Sequence, residues 1–177
     1  MEAAAPLSAY EMFAAIFSYP QDDYQYTVGQ FTEFHELSAK VSDRLMNFSQ
    51  SIGQINPQTL EEIFTSTFDM NPDCCLELGW HLFGENYGRG EFLVKMRKLL
   101  RSHNLTESTE LPDHLSHCMR LLGNLDGEYA ATFIKTYFQP AIEKMKSGLP
   151  ENNIYAPALT ALDEFISEKY PMKKEVE

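Results

Sequence analysis

Two neighbouring histidines are the first candidates for chemistry. His114 and His117 are three residues apart in a segment with helical spacing, so both can lie on one face of a helix. Two imidazoles at this separation can begin a zinc site, but a tetrahedral site needs further ligands. The sequence has no Cys-x-x-Cys pair and no second His pair to supply them. We therefore predict no metal site, with His114 as a helix cap or partner contact and His117 as an exposed side chain.

A glycine-rich segment, Gly84 to Gly90, is the second candidate. It carries Arg89 between two glycines, but it lacks the Gly-Lys-Ser/Thr ending of a P-loop, and no predicted strand precedes it. The segment is more typical of a turn between two helices, in which a glycine adopts a positive φ. A nucleotide-binding helical protein that uses this turn is an alternative interpretation.

No serine or cysteine is marked by its neighbours as a nucleophile. Cys74 and Cys75 lie near a predicted helix start, where the helix dipole can lower the pKa of a thiol, but such residues are more often buried. With Cys118 they form an odd set, which favours a reducing compartment over a disulfide framework. We predict no catalytic residues and no enzyme activity.

Composition narrows the classes of partner. The chain has 177 residues and a net charge of −12, so most of its surface repels a phosphate backbone and nucleic acid is not expected as a ligand. The first basic residue is Lys40, which argues against a secretory leader. No apolar run approaches the roughly 18 residues of a membrane span, so no stable membrane insertion is expected. These features together predict a cytoplasmic protein.

The elements that carry these residues have helical periodicity. Apolar residues recur at helical spacing from Tyr10 to Phe17, and Ser8 and Glu11 have the spacing of a capping box. The pairs Asn56-Pro57 and Asn71-Pro72 are typical helix starts, the second opening a buried helix from Cys74 to Phe83. No segment alternates with period two. We predict an all-α, single-domain bundle of about eight or nine helices over residues 1–170, with a frayed charged tail at 171–177.

Several motifs in the middle of the chain resemble a known family. They are Thr67-Phe68-Asp69, the stretch from Leu76 to Gly84, Arg89-Gly90, and Glu110-Leu-Pro112-Asp113-His114. Together they resemble the nitrate reductase delta subunit branch of the cytosolic maturation chaperones of molybdenum oxidoreductases. The same superfamily contains the trimethylamine-oxide and dimethyl-sulfoxide reductase chaperones.

The resemblance implies a role in enzyme assembly. Such a chaperone binds the cofactor-free catalytic subunit of a molybdoenzyme, often by its N-terminal segment, until the molybdenum cofactor is inserted. The cofactor then belongs to the client, no cofactor is bound stably by the chaperone, and the cofactor-insertion machinery is a possible further partner. A generic helical adaptor is the remaining alternative.

This role requires a surface that can bind a polypeptide and later release it. An apolar groove would take the apolar face of the client, and an acidic rim would speed encounter and select register. We expect groove walls from Trp80, Phe83, Tyr87 and Leu115, and rim charges from Asp69, Glu110 and Asp113. A purely structural role, in the core for Trp80 and Phe83 and at a helix start for Asp113, is equally consistent with the pattern. The predicted partner-binding residues are Asp69, Trp80, His81, Phe83, Tyr87, Arg89, Glu110, Pro112, Asp113, His114 and Leu115.

Overall fold

Helices form nearly all of the regular structure. The computed structural model describes residues 8–31 and 36–171. The α-helices in these ranges are α1 (Ala9–Ile16), α2 (Tyr24–Phe31), α3 (Ala39–Ile52), α4 (Pro57–Phe64), α5 (Leu78–Phe83), α6 (Tyr87–Ser102), α7 (Leu115–Leu122), α8 (Gly127–Phe133), α9 (Gln139–Gly148) and α10 (Ala156–Lys169).

Two π-helical turns link some of these helices. Thr65–Asp69 continues α4, and Ile134–Phe138 joins α8 to α9, so the described ranges contain nine continuous helical segments and no β-strand. This confirms the prediction of an all-α single-domain bundle with eight or nine helices. The predicted tail lies outside the described residues except for Pro171. Among the described helices, none has the length and apolar character needed to cross a membrane.

Polar caps fix several helix starts at the predicted residues. The Ser8 hydroxyl accepts a hydrogen bond from the Glu11 N–H at the start of α1. The Asn56 side chain accepts from the Thr59 N–H at 2.9 Å and Pro57 is the first residue of α4. Each cap satisfies a backbone donor that has no partner within its helix. Local sequence signals therefore set these boundaries.

The segment before α5 differs from the prediction. A helix from Cys74 was expected, but α5 begins only at Leu78. Asn71 forms a turn instead, because its side chain accepts from the Asp73 N–H at 3.1 Å and donates to the Cys74 sulfur at 3.0 Å. Residues 74–77 are thereby left in a non-helical conformation that can pair with another segment.

The core is built from aromatic and aliphatic side chains of most helices. Helix α10 packs along α3, and α1 packs along α7. Tyr155 lies fully buried against Phe48, Phe64 and Phe68, with ring centroids 5.0 to 5.7 Å apart. Helix α5 packs against α6 and α9. This last arrangement positions the motif residues.

Candidate partner-binding site

Backbone pairing joins the two central motif blocks. The Leu78 N–H donates to the Asp113 carbonyl at 3.0 Å, and the Leu115 N–H donates to the Leu76 carbonyl at 2.7 Å. The non-helical stretch before α5 therefore lies directly against the stretch before α7. Motifs more than thirty residues apart in the sequence form one structural unit.

Asp113 is the centre of this unit, and it is not a rim charge. Its side chain is fully buried, and its Oδ2 accepts from the Gly79 N–H at 2.7 Å. Burial raises the pKa of the Asp113 carboxyl, while the Gly79 hydrogen bond and the charge of Arg89 oppose that shift. The expectation of an exposed carboxylate is corrected, because the paired segments close over it.

The histidines of this unit are also buried. The Nδ1 of His114 accepts from the Ser116 N–H at 3.2 Å and caps α7, which is one of the two roles predicted for it. The other predicted role, a contact with the partner, is corrected because His114 is buried. His117 was expected to be exposed, and this is wrong, since its exposed fraction is 1%. Its Nε2 accepts from the Ser108 N–H at 3.0 Å, so its Nδ1 carries the proton donated to the Leu111 carbonyl at 2.9 Å. His117 thus holds the polar loop before α7 against the helix.

The other predicted groove and rim residues do not form one surface. Leu115 is completely buried and Pro112 is buried, so Leu115 is a core residue and not a groove wall. Phe83 is half-buried and packs on Phe92, with ring centroids 5.5 Å apart. Tyr87 and Glu110 are exposed, Tyr87 at 84%.

A surface hollow does collect three of the predicted residues. This Arg89 hollow has a volume of about 250 Å³, and its lining consists of Asp69, Met70, Pro72, Cys75, Glu77, Trp80 and Arg89. The Arg89 guanidinium stands over the Trp80 ring at 5.4 Å from its centroid. The Trp80 indole N–H donates to the Pro72 carbonyl at 2.9 Å, which fixes the ring at the wall of the hollow. The Nε of Arg89 is buried without a hydrogen-bond partner.

The carboxylates of the Arg89 hollow are partly desolvated. Burial raises the pKa of the Asp69 carboxyl, opposed by a hydrogen bond from Thr65. Burial likewise raises the pKa of the Glu77 carboxyl, with the hydrogen bond to Cys75 as the largest opposing effect. Two acids whose charged forms lack full hydration favour a cationic neighbour, because a nearby positive charge stabilises the ionised state.

A second hollow adjoins the first at Trp80. This α9 hollow, of about 760 Å³, lies between the turn before α5 and helix α9, and its lining includes Asp73, Trp80, His81, Pro140, Glu143 and Lys144. His81 is 8% exposed, and its Nε2 lies 2.7 Å from the Cys75 carbonyl. Burial lowers the pKa of His81. The Lys144 ammonium donates a hydrogen bond to the His81 carbonyl, so one of its donors is already used within the protein.

The glycine-rich segment is arranged as a helix start. Gly84 has a positive φ of 60°, as the turn interpretation predicts, but α6 already begins at Tyr87 and includes Arg89 and Gly90. The Asn86 side chain accepts from the Gly88 N–H at 2.8 Å, so the protein itself uses an amide that a phosphate would need. Among the described residues, no group of three His, Cys, Asp or Glu side chains is arranged to hold a metal ion.

Sequence reasoning missed two main components of the Arg89 hollow. Met70 directly follows the π-helical turn that ends at Asp69, and it is 76% exposed. Glu77 immediately precedes α5, and its backbone forms an isolated antiparallel β-bridge with that of His114. In the sequence neither differs from the many other methionines and glutamates, so only the turn and the bridge single them out.

Comparison with known families decides the assignment of the chain. The family model described as the nitrate reductase delta subunit matches residues 34–153. The chain belongs to the nitrate reductase delta subunit family. The resemblance inferred from the motifs is thereby confirmed, and membership of this family supports a role as a maturation chaperone.

A solved structure has a similar fold. It is the crystal structure of a candidate redox enzyme maturation protein from Archaeoglobus fulgidus, with a TM-score of 0.65 and 19% sequence identity. The match covers 94% of this chain and 99% of that chain. No curated protein matches the sequence significantly. For this delta family member, the comparison establishes the same all-helical architecture over nearly the whole length.

Proposed function

We propose that the protein is a system-specific cytoplasmic chaperone for a molybdenum oxidoreductase of the nitrate reductase type. It binds the cofactor-free catalytic subunit by its N-terminal segment and holds it for molybdenum cofactor insertion and assembly. The chaperone has no catalytic activity, and the cofactor belongs to the client. Family membership supports the maturation role. The Arg89 hollow is the observation that carries the proposal for polypeptide binding.

The composition of the Arg89 hollow suits a peptide side chain better than a cofactor. The hollow itself has a volume of about 250 Å³. Met70 and Trp80 offer apolar contact, while Asp69 and Glu77 offer negative charge beside it. A client segment with an apolar side chain next to a basic one can make both the apolar contact and the charge contact. Such limited burial gives an affinity of roughly micromolar or somewhat tighter, which permits later release.

Binding to cofactor-free and cofactor-loaded catalytic subunit from the native host tests this function. We expect saturable calorimetric binding to the cofactor-free form and a large loss of affinity for the loaded form. Trp80 is the single tryptophan of the chain, so its emission should shift to shorter wavelength when the client excludes water from the hollow. Trp80→Ala should weaken binding, because it removes the apolar wall that the Arg89 hollow offers to the client.

Val94→Ala is the matched control, since Val94 is an exposed apolar side chain on α6, the helix that carries Arg89, and lies outside the Arg89 hollow. It should leave the affinity nearly unchanged. Absence of binding to the cofactor-free subunit would overturn the proposal. Equal binding to both forms would instead favour a generic adaptor, and nucleotide affinity lost in Arg89→Ala would favour the nucleotide-binding alternative.

A further inference from the structure

Three surface hollows of the protein adjoin one another through shared lining residues. A third one, the Tyr19 hollow, has a volume of about 390 Å³, and its lining includes Tyr19, Glu61, Glu62 and Met70. It shares Met70 with the Arg89 hollow, and the Arg89 hollow shares Pro72 and Trp80 with the α9 hollow. The three therefore form one trench that runs from Tyr19 past Met70 and Trp80 to α9. We call this surface the trench.

Negative charge dominates the trench. Its lining contains two cationic side chains, Arg89 and Lys144. Arg89 stacks on Trp80, and Lys144 is bonded to the His81 carbonyl. The carboxylates of the lining are Glu61, Glu62, Asp69, Asp73, Glu77 and Glu143.

None of these carboxylates forms an ion pair closer than 4 Å with a described cation, although the charge of Arg89 favours the ionised form of Glu77. Within residues 8–31 and 36–171, ion pairs closer than 4 Å engage Glu11, Glu107, Asp163 and Glu164, none of which lines the trench. Glu61 instead accepts a long hydrogen bond of 3.4 Å from the Tyr19 hydroxyl. The chain thus pairs several of its scarce cations elsewhere and leaves the acids of the trench available to a partner.

Apolar contacts are spaced along the same surface. Met70, at the junction of two hollows, is 76% exposed, and Tyr19 at the far end is 41% exposed. Trp80 stands at the other junction. The exposed thioether of Met70 can adapt to varied apolar side chains of a partner, because methionine is flexible and polarisable. The order along the trench is therefore acidic, apolar, acidic, apolar, acidic.

We propose that the trench is the docking surface for a basic segment of the client polypeptide. Apolar side chains of that segment contact Met70 and Trp80, and lysines or arginines on either side lie in the Tyr19 hollow and the α9 hollow. This inference rests on the proposed function and names the chemistry of its partner. A second copy of the chain is a poor occupant, since two molecules of charge −12 repel one another.

The decisive experiment removes charge from the Tyr19 hollow, which takes no part in the packing around Asp113. The double variant Glu61→Gln, Glu62→Gln should bind a synthetic peptide of the client's N-terminal segment roughly tenfold more weakly in low salt. The difference should shrink as ionic strength rises, because salt screens exposed charges. The matched control is Glu128→Gln, Glu151→Gln, which removes the same charge from exposed positions outside the trench. It should retain wild-type affinity.

A charge swap tests the contact directly. A peptide in which lysine and arginine are replaced by glutamate should fail to bind the wild-type chain and should regain affinity for the variant Glu61→Lys, Glu62→Lys. Met70→Ser should weaken binding of the original peptide roughly tenfold, whereas Val94→Ser, at a position 54% exposed on α6, should not.

The outcomes separate this inference from the proposed function. Peptide binding that is unaffected by the Glu61, Glu62 and Met70 changes would overturn the proposal that the trench is the docking surface. The proposed chaperone role would not be affected by that result. Equal loss in the Glu128 and Glu151 control would also overturn it, because the effect would then come from net charge alone. Absence of binding to both the peptide and the intact cofactor-free subunit would overturn both.

Discussion

The carboxylate of Asp113 and the backbone of Gly79 occupy adjoining space at the centre of the motif unit. Oδ2 of Asp113 accepts from the Gly79 N–H at 2.7 Å, and a Cβ at Gly79 would lie 2.6 Å from the same oxygen. The hydrogen bond therefore requires a residue without a side chain. It also ties the first turn of α5 to the stretch before α7, and α5 carries Trp80 to the trench. The motif residues that are not at the surface serve to position those that are.

Gly79→Ala should destabilise the protein by about 1–3 kcal/mol, because the new methyl group overpacks a closed site. Besides the Asp113 oxygen, it would lie 3.0 Å from the Phe92 ring. Urea unfolding measures the loss. Gly90→Ala is the control, since a Cβ there meets nothing within 4 Å and the position is inside α6, where alanine is preferred. Equal stability of the two variants would contradict the close approach at Gly79.

Asp113→Asn should change how stability depends on pH. The folded-state pKa of Asp113 is raised, so the folded protein binds the proton more tightly, and this contribution to stability is lost as pH rises from about 3.9 through the folded value. The asparagine variant keeps an acceptor for the Gly79 N–H and should lack this decline. The difference between the two unfolding free energies across that pH range is the measurement.

Asp113→Ala separates the acceptor from the charge. It removes the partner of a buried N–H, which costs about 1–3 kcal/mol at any pH. If the alanine and asparagine variants were equally stable at neutral pH, the hydrogen bond to Gly79 would not have the structural role assigned to it.

His114 should make the protein sensitive to acid. Burial lowers its pKa to about 3 from an ordinary value of 6.5. The unfolded chain therefore takes up the proton first, and the stability contributed by neutral His114 is lost as pH falls from about 6.5 to about 3. His114→Asn retains a residue suited to the helix cap and should show a shallower loss in acid-unfolding curves. An unchanged slope in this variant would rule out His114 as the titrating group.

Gly148→Ala should disturb the floor of the α9 hollow. A Cβ at Gly148 would lie 2.2 Å from the Asp73 carbonyl oxygen, and a backbone atom cannot move aside cheaply. We expect a loss of at least about 2 kcal/mol in unfolding free energy. Gly127→Ala, where nothing lies within 4 Å, is the matched control. Comparable unfolding midpoints for both would show that the turn before α5 is not held against the end of α9.

The helices themselves could be predicted because their signals are local. Apolar spacing in α1 and the Asn56-Pro57 start of α4 are read from residues within one or two turns, and the structure places them where expected. The motif blocks also identified the family, which a match over residues 34–153 confirms. The residue pattern alone was sufficient to predict the helices and the family, since neither prediction depends on contacts between segments distant in sequence.

Only the tertiary structure decided which motif residues face solvent. The pattern around Asp113, Leu115 and His117 is compatible with a surface or a core, because a polar or apolar residue near a helix start suits either. Pairing of residues 76–78 with 113–115 buries all three, and this depends on hydrogen bonds between segments distant in sequence. The same packing leaves Met70 and Trp80 beside the carboxylates of Asp69 and Glu77. Local periodicity reports on residues within a few positions of each other. The trench depends instead on the spacing between helices, and that spacing is fixed only when the helices pack against one another.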